Sequence, residues 1–404
     1  AALEAACAAY GPLFRRRVLH LAFELHLRRR FFDALVHHAP RETQGPSLQV
    51  ISCLDERKES LRRHLEELDP TVETFGTAGF FGVPMYYQGE RDARPRPLAP
   101  VAIRPAHYVE VVGRSETGET FAERLERLRG EALHVGSRGL FRGALVSVLG
   151  SLSLVPLVLR VLFPRRSNGG PGLSATGAHS ALLLERDDTP PPLGEHRGFT
   201  TAEMAAIVER VLGDVGLWGG SFAPLVMVLG HGSTTINNPH RSAYDCGACG
   251  GGPGGPNARA FAAMANDPAV RAALAERGRA LPEGTWFVGG EHDTTDDSIT
   301  LFDAEQVPDR LRPALAQAGV TLDAARARNA QERCRRFVHL PPLSPQAALR
   351  HVQGRAADLA EPRPEYNHAT NAVCLVGRRA RTRGLFLDRR CFLVSYHPER
   401  DDGE

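Results

Sequence analysis

Three short apolar runs, each leading into residues with metal-binding side chains, constrain this chain more than any other feature. Leu48-Gln49-Val50-Ile51-Ser52-Cys53, Pro224 to Gly230 (PLVMVLG) and Thr285 to Gly290 (TWFVGG) have strand length and read as strands covered on both faces. The first is followed at once by Arg57 to Leu68, which places Leu61, Leu65 and Leu68 on one helical stripe. Thr200 to Leu212 (TTAEMAAIVERVL) carries a threonine N-cap and helical spacing ahead of the second run. Buried strands alternating with helices predict an α/β fold on a mostly parallel, doubly wound sheet. Further strands are expected at Ala372 to Val376 and Cys391 to Ser395. Ligands of such sheets bind beyond the carboxyl ends of the strands. Cys53, His231 and Glu291-His292-Asp293 all fall at that end.

The rest of the chain divides around these runs. Residues 1–45 are expected to form a helical N-terminal segment, with an amphipathic helix over about 11 to 38. Residues 46–104 give the first part of the α/β core, 105–199 a helical, apolar insertion and linker, and 200–404 the second part of the core. Gly89 to Pro100 reads as Pro/Arg-rich loop and Pro164 to Gly198 as a Gly/Pro/Ser-rich linker. Ala144 to Phe163 has membrane-spanning length, but Pro156, three serines and Arg160 favour a buried helical hairpin over a span or a partner-contacting element. The chain lacks an initiator Met, starts inside a helical pattern and stops in a charged run after Tyr396-His397-Pro398, so a fragment of a longer protein is expected.

Charge and cysteine usage narrow the chemistry. A net charge of +2, with both signs mixed along 404 residues, gives no electrostatic case for nucleic acid as a partner. Seven scattered cysteines do not make a disulfide framework and leave thiolates free for a metal.

In Cys53-Leu54-Asp55-Glu56-Arg57, a thiol at a strand end is followed by a carboxylate able to reach the same ion. Arg57 can clamp that carboxylate through a two-point pair. The plain alternative is a buried Cys beside an ion pair at a helix start. His231, between an apolar strand and a Gly-rich turn, either presents its imidazole to a crevice or makes a loop hydrogen bond. Cys246 and Cys249 form a CxxC in a glycine-rich stretch, without the second CxxC of a local zinc knuckle. Together Cys53, His231 and Cys246 make a Cys₂His set with a carboxylate at hand, a pattern that favours zinc with an exchangeable fourth position. His240, His292 and Asp293 are candidates to line the crevice or are solvated loop residues. Cys7, Cys334, Cys374 and Cys391 read as core or surface thiols.

At these residues the chain resembles the β-class carbonic anhydrase site and, more closely, the DabA-type subunits of inorganic carbon transporters. The resemblance rests on CLDERKESLRRHLEE (53–67), TAGFFGVPMYY (77–87), LGHGSTTINNPHRSAYDCGACGGGPGGPNAR (229–259), FVGGEHDTTDD (287–297) and NHATNAVCLVGRR (367–379). β-Class enzymes place the His and second Cys close together, whereas here Cys246 lies fifteen positions after His231. The DabA pattern has that wide spacing. The resemblance implies a β-carbonic-anhydrase-like core and Zn²⁺ held by Cys53, Asp55, His231 and Cys246. It implies hydration of CO₂ to bicarbonate, with Asp55 and Arg57 as catalytic residues. It also implies a peripheral place on the cytoplasmic side of the inner membrane, with a DabB-type membrane partner related to cation antiporter subunits. Activity is then expected only in complex with that partner, because a carboxylate on the metal closes the site and one drawn to Arg57 opens it. The rival readings are a structural zinc site in a scaffold subunit of a membrane complex, and a zinc hydrolase using Asp55 as general base.

Overall fold

The computed structural model describes residues 2–41, 43, 45–90, 92, 94–113, 143–144, 147, 150, 154–162, 173–176, 180–234, 243–358 and 367–398. Its strands are β1 (Leu48–Cys53), β2 (Val72–Thr77), β3 (Met85–Gln88), β4 (Arg96–Leu98), β5 (His107–Gly113), β6 (Leu173–Thr176) and β7 (Ser180–Leu183). They continue with β8 (His196–Arg197), β9 (Leu225–Gly232), β10 (Trp286–Asp293), β11 (Ile299–Phe302), β12 (Val373–Gly377) and β13 (Cys391–Ser395). The helices are α1 (Ala2–Ala9), α2 (Pro12–His37), α3 (Arg57–Leu68), α4 (Leu154–Leu162), α5 (Thr201–Asp214), α6 (Gly255–Asn266), α7 (Pro268–Glu276), α8 (Arg312–Cys334) and α9 (Pro345–Ala357).

The principal sheet runs β2-β1-β9-β10-β11-β6. Its first four strands are parallel, as the apolar runs predict, and β1 lies between β2 and β9. The chain leaves β1 through α3 to β2 on one side and later enters β9 on the other. The strand order therefore reverses between β1 and β9, the switch point at which such sheets bind ligands. All six residues of β1 are buried. Its one amide, Gln49, is fully engaged: Nε2 donates to Glu73 (2.8 Å) and to the Ser221 carbonyl (2.9 Å), and Oε1 accepts from the Ala223 N–H (2.9 Å).

The fold is a mixed α/β structure, more mixed than the apolar runs alone predict. β11 is antiparallel to β10, since the few residues between them allow a hairpin and no helical crossover. A second sheet, β4-β3-β5-β7 with β8 beside β5, combines parallel and antiparallel pairs. The stretches expected as loop and linker thus contribute β4, and β6 to β8. The late strands pair with each other as a separate parallel ribbon against β2, where the Gly76 N–H donates to Ser395 Oγ at 3.0 Å.

Helices cover both faces of the principal sheet. On one face Val50, Leu225, Met227 and Val288 pack with Leu61 and Leu65 of α3 and Leu322 and Ala325 of α8. On the other, Ile51, Val226, Val228 and Phe287 pack with Met204 and Val208 of α5, Phe261 of α6, and Met85 and Leu98 of the second sheet. Each such aliphatic or aromatic side chain contributes ~1.5–3 kcal/mol. The capping box of α5 is present, with the Glu203 N–H on Thr200 Oγ1 and the Glu203 carboxylate on the Thr200 N–H. α3 departs from the surface helix its leucine stripe suggests: ten of its twelve residues are buried, charged ones included. α8 and the β12–β13 ribbon enclose it and supply partners, with Arg63 on Glu59 and Glu332, and Glu66 on Arg379. At the other extreme, no residue of α2 is buried. Leu154 and Leu162 of α4 are 58% and 64% exposed, so the described part of Ala144 to Phe163 is an exposed apolar helix rather than a buried hairpin. No helix among the described residues is long and apolar enough to cross a membrane.

Candidate metal centre

Cys53 is the last residue of β1, and His231 lies near the end of the adjacent β9. Cys246 immediately precedes a 3₁₀ turn, Gly247–Cys249, fixed by hydrogen bonds from the Cys246 N–H to the Gly252 carbonyl and from the Cys249 N–H to the Cys246 carbonyl, each 3.0 Å. Gly250 follows in the left-handed region (φ 65°), which a side chain would disfavour. Asp245 Oδ1 accepts from the Ser233 N–H at 2.7 Å and so ties the Cys246 segment to the turn after His231. The result is that one donor atom from each of Cys53, His231 and Cys246 lies within 4.8 Å of the other two, all three residues being buried.

The donor set fits zinc. Two thiols and an imidazole are soft-to-borderline ligands, and such residues prefer Zn²⁺ to Mg²⁺ or Ca²⁺. The packing fits these donors tightly. The His231 ring is buried, with Nε2 turned to Arg57 and Asp55 and Nδ1 without a hydrogen-bond partner among the described residues. A Cβ on Gly79 would stand 2.7 Å from Cys246 Sγ and 2.9 Å from Cys53 Sγ, so only glycine fits against the thiols. A hydrogen bond shared with Cys246, then burial, pushes the Cys53 thiol well above its usual range. The hydrogen bond with Cys249, then burial, raises Cys246 likewise. Alone, the pair stays protonated, while a divalent cation inverts that preference and releases protons.

Asp55 stands beside this group with both oxygens turned to Arg57. Nε donates to Oδ1 and Nη2 to Oδ2, each at 2.9 Å, and the Arg57 N–H adds a third bond to Oδ1. The guanidinium reaches further, from Nη1 to the Tyr244 carbonyl (2.7 Å) and Thr294 Oγ1 (3.2 Å), with Nη2 at 3.1 Å from His231 Nε2. Asp55 Oδ2 is 3.5 Å from the same nitrogen. Burial by itself would raise Asp55; the charges of Arg57 and His231 outweigh it and hold the carboxyl well below the ordinary value. Arg57 thus joins the Cys53 turn, the Cys246 segment and the end of β9.

The other sequence candidates fall outside the three-donor group. His292, in register with His231, is buried and bonded to Asp297 at 3.1 Å; burial drives its pKa down to about 3. Asp293 accepts from the N–H groups of Thr234 (3.1 Å) and Thr295 (2.8 Å) and so shapes the turns beyond β9 and β10. His240 and the side chain of Cys7 lie outside the described residues. Cys334 and Cys391 are buried, and Cys374 is exposed.

Sequence reasoning missed Gly79 and His368 as parts of the site. Gly79 carried no signal except its place in TAGFFGVPMYY, because its role depends on two thiols far away in sequence. His368 Nδ1 sits 2.9 Å from Glu56 and 3.7 Å from Asp55, making a second group of donors that opens toward solvent. Only the fold brings residue 368 to the turn after β1.

A buried Cys₂His donor set at the switch point of an α/β sheet, flanked by an arginine-clamped aspartate, defines the chain as a candidate metalloprotein with its ligands drawn from three segments. The family model described as "Probable inorganic carbon transporter subunit DabA" matches residues 5–404, and the chain belongs to this family. It is 50% identical over 418 residues to the probable inorganic carbon transporter subunit DabA 1 of Sorangium cellulosum, covering 100% of this chain and 41% of that protein. It is 46% identical over 425 residues to the DabA protein of Parafrankia sp., covering 96% of this chain and 38% of that protein. The match to the Dechloromonas aromatica DabA protein is 44% over 420 residues, with 99% and 41% covered. The chain thus spans about two fifths of the length of these curated relatives. No solved structure matches it.

Proposed function

We propose that this chain forms the zinc-binding core of an inorganic carbon uptake subunit, in which CO₂ is hydrated to bicarbonate at a site like that of β-class carbonic anhydrases. The observation that carries the proposal is the convergence of Cys53, His231 and Cys246 donors within 4.8 Å, with Asp55 held on Arg57 beside them. The relatives' names, as probable subunits of an inorganic carbon transporter, support the substrate class. In this reading Cys53, His231 and Cys246 hold the ion, and Asp55 is the fourth donor when Arg57 releases it.

Zinc, when bound, supplies Lewis acidity that lowers the pKa of a water ligand to about 7. The chain's own residues do the rest. Arg57 keeps Asp55 ionised and holds both its oxygens on the guanidinium, so that Cys53, His231 and Cys246 would hold the ion without the carboxylate. Asp55 Oδ2, 3.5 Å from His231 Nε2, stands ready to accept a hydrogen bond there. The buried donors exclude bulk water, and His368, with its side chain 42% exposed against Glu56, gives the cluster an outlet to solvent. A movement of one carboxylate then switches the site, and the membrane partner, a DabB-type subunit related to cation antiporter subunits, is what moves it. The exposed apolar side chains of α2 and α4 support contact with such a partner at the cytoplasmic face of the inner membrane.

The full-length subunit purified with its partner should contain about one zinc per chain and hydrate CO₂. Cys53→Ala, His231→Ala and Cys246→Ala should each lose both. Full zinc in all three variants sinks the site. Zinc present with no hydration under any partner or gradient condition turns the reading to a structural metal, which the complete burial of the donors would also suit. Ester or amide turnover dependent on Asp55 turns it to a hydrolase.

A further inference from the structure

A cavity of about 470 Å³ lies at the opposite end of β1 from the thiols, between the amino ends of β1 and β2, the turn after α5 and the β12–β13 ribbon. Gln49, on its wall, is four residues before Cys53, ~13 Å along a strand. The cavity therefore shares no donor with the metal group, and the function proposed above leaves it unused.

Its chemistry is one-sided. Among the described residues, Arg41, Arg378, Arg379 and Arg383 all line it, against one carboxylate, that of Glu73. Arg379 is neutralised from behind by a two-point pair with Glu66, Nε to Oε1 at 2.9 Å and Nη2 to Oε2 at 2.8 Å. Arg383 is only 8% exposed, yet its partners are Thr43 Oγ1 and the carbonyls of Pro70 (2.6 Å) and Val72 (3.1 Å). Those oxygens solvate the guanidinium without cancelling its charge, and a buried charge without a counter-ion is expensive. The Arg41 guanidinium forms no hydrogen bond or ion pair with a described residue, although the Arg41 N–H is anchored to the Ala380 carbonyl at 3.0 Å. Arg41 and Arg383, from separate segments and without a carboxylate partner among the described residues, thus line one cavity that Phe75, Val215 and Leu217 also line.

We propose that this cavity binds a small phosphorylated molecule, with its phosphoryl group between Arg41 and Arg383 and its body against the Phe75, Val215 and Leu217 wall. One arginine saturates a carboxylate through a two-point pair, whereas a phosphoryl group has three oxygens and close to two charges for several guanidiniums. The volume suits a ligand of nucleoside monophosphate size.

The test is calorimetric titration of the zinc-loaded full-length protein, at low ionic strength, with inorganic phosphate, AMP and malonate in turn. AMP should bind saturably and more tightly than phosphate, and malonate should bind more weakly than either. Arg41→Gln, at an exposed position, should weaken AMP by at least about tenfold with zinc content unchanged. Cys53→Ala should leave AMP binding intact, which separates this site from the metal centre. Arg383→Gln should abolish binding, and if that variant misfolds, the Arg41→Gln result decides. No saturable binding of phosphate or AMP at millimolar concentration overturns the proposal, as does AMP binding indifferent to Arg41→Gln. Malonate binding as tightly as AMP overturns the phosphoryl assignment.

Discussion

Replacing Arg57 by alanine strands a carboxylate. Asp55 is 3% exposed and takes three hydrogen bonds from Arg57, two of them from the guanidinium. Removing one partner of such a buried pair typically costs about 3–5 kcal/mol, because the remaining charge is left uncompensated. The nearest relief lies beside His231, 3.5 Å from Oδ2, where the three candidate donors converge. If that cost becomes the drive toward the metal, the open site loses population by roughly a hundredfold to a few thousandfold, at 1.4 kcal/mol per decade. Arg57→Ala should therefore keep its zinc and lose carbon uptake by at least about a hundredfold. Arg57→Lys should fail as well, since an ammonium cannot occupy both carboxylate oxygens and the Tyr244 carbonyl together. The assay is rescue of growth at ambient CO₂ in a strain lacking carbonic anhydrases, with the full-length subunit expressed alongside its partner. Zinc content and protein level are measured in parallel. Full rescue by Arg57→Ala, at normal abundance and normal zinc, refutes the Asp55–Arg57 switch.

The remaining predictions concern the ligand set and its surroundings. Cys249→Ala should retain zinc, because Cys249 Sγ donates to the Gly79 carbonyl (3.3 Å) and Cys246 is the cysteine grouped with Cys53 and His231; elemental analysis showing the reverse would exchange the two cysteines. Gly79→Ala should expel the metal, its new Cβ lying within 3 Å of both thiols, while Gly247→Ala, with nothing within 4 Å of its Cβ, should not. Equal zinc in both variants would mean that the thiols move aside freely. Zinc should leave as pH falls, because Cys53 and Cys246 are both shifted toward the thiol form; retention that does not change with acidification counts against thiolate ligation. Burial lowers the Lys58 ammonium to about 7. A base depressed on folding binds fewer protons folded than unfolded between that value and ~10.4, so stability should rise with pH across the window and be flat below it. Urea midpoints of Lys58→Met should lack that rise, and an unchanged slope would show that Lys58 is solvated.

Local sequence determined those features whose causes are local. The period of LQVISC and PLVMVLG, the helix beginning at Arg57 and the Thr200–Glu203 cap need only neighbouring residues, and β1, α3 and α5 form where those patterns place them. Cys53, Asp55 and Arg57 were legible for the same reason, as a turn between a strand and a helix. Their grouping with His231 and Cys246 came from a family resemblance and not from periodicity, since no local rule links residues so far apart. Tertiary structure alone decided the rest. A leucine stripe cannot say that α8 and the β12–β13 ribbon will enclose the polar side of α3, because burial of Arg63 and Glu66 depends on partners at 332 and 379. Nor can a glycine in TAGFFGVPMYY announce two sulfurs at its Cβ position, or His368 its place beside Asp55. Those constraints exist only after the chain has closed on itself, when a missing side chain becomes the space that two thiols occupy.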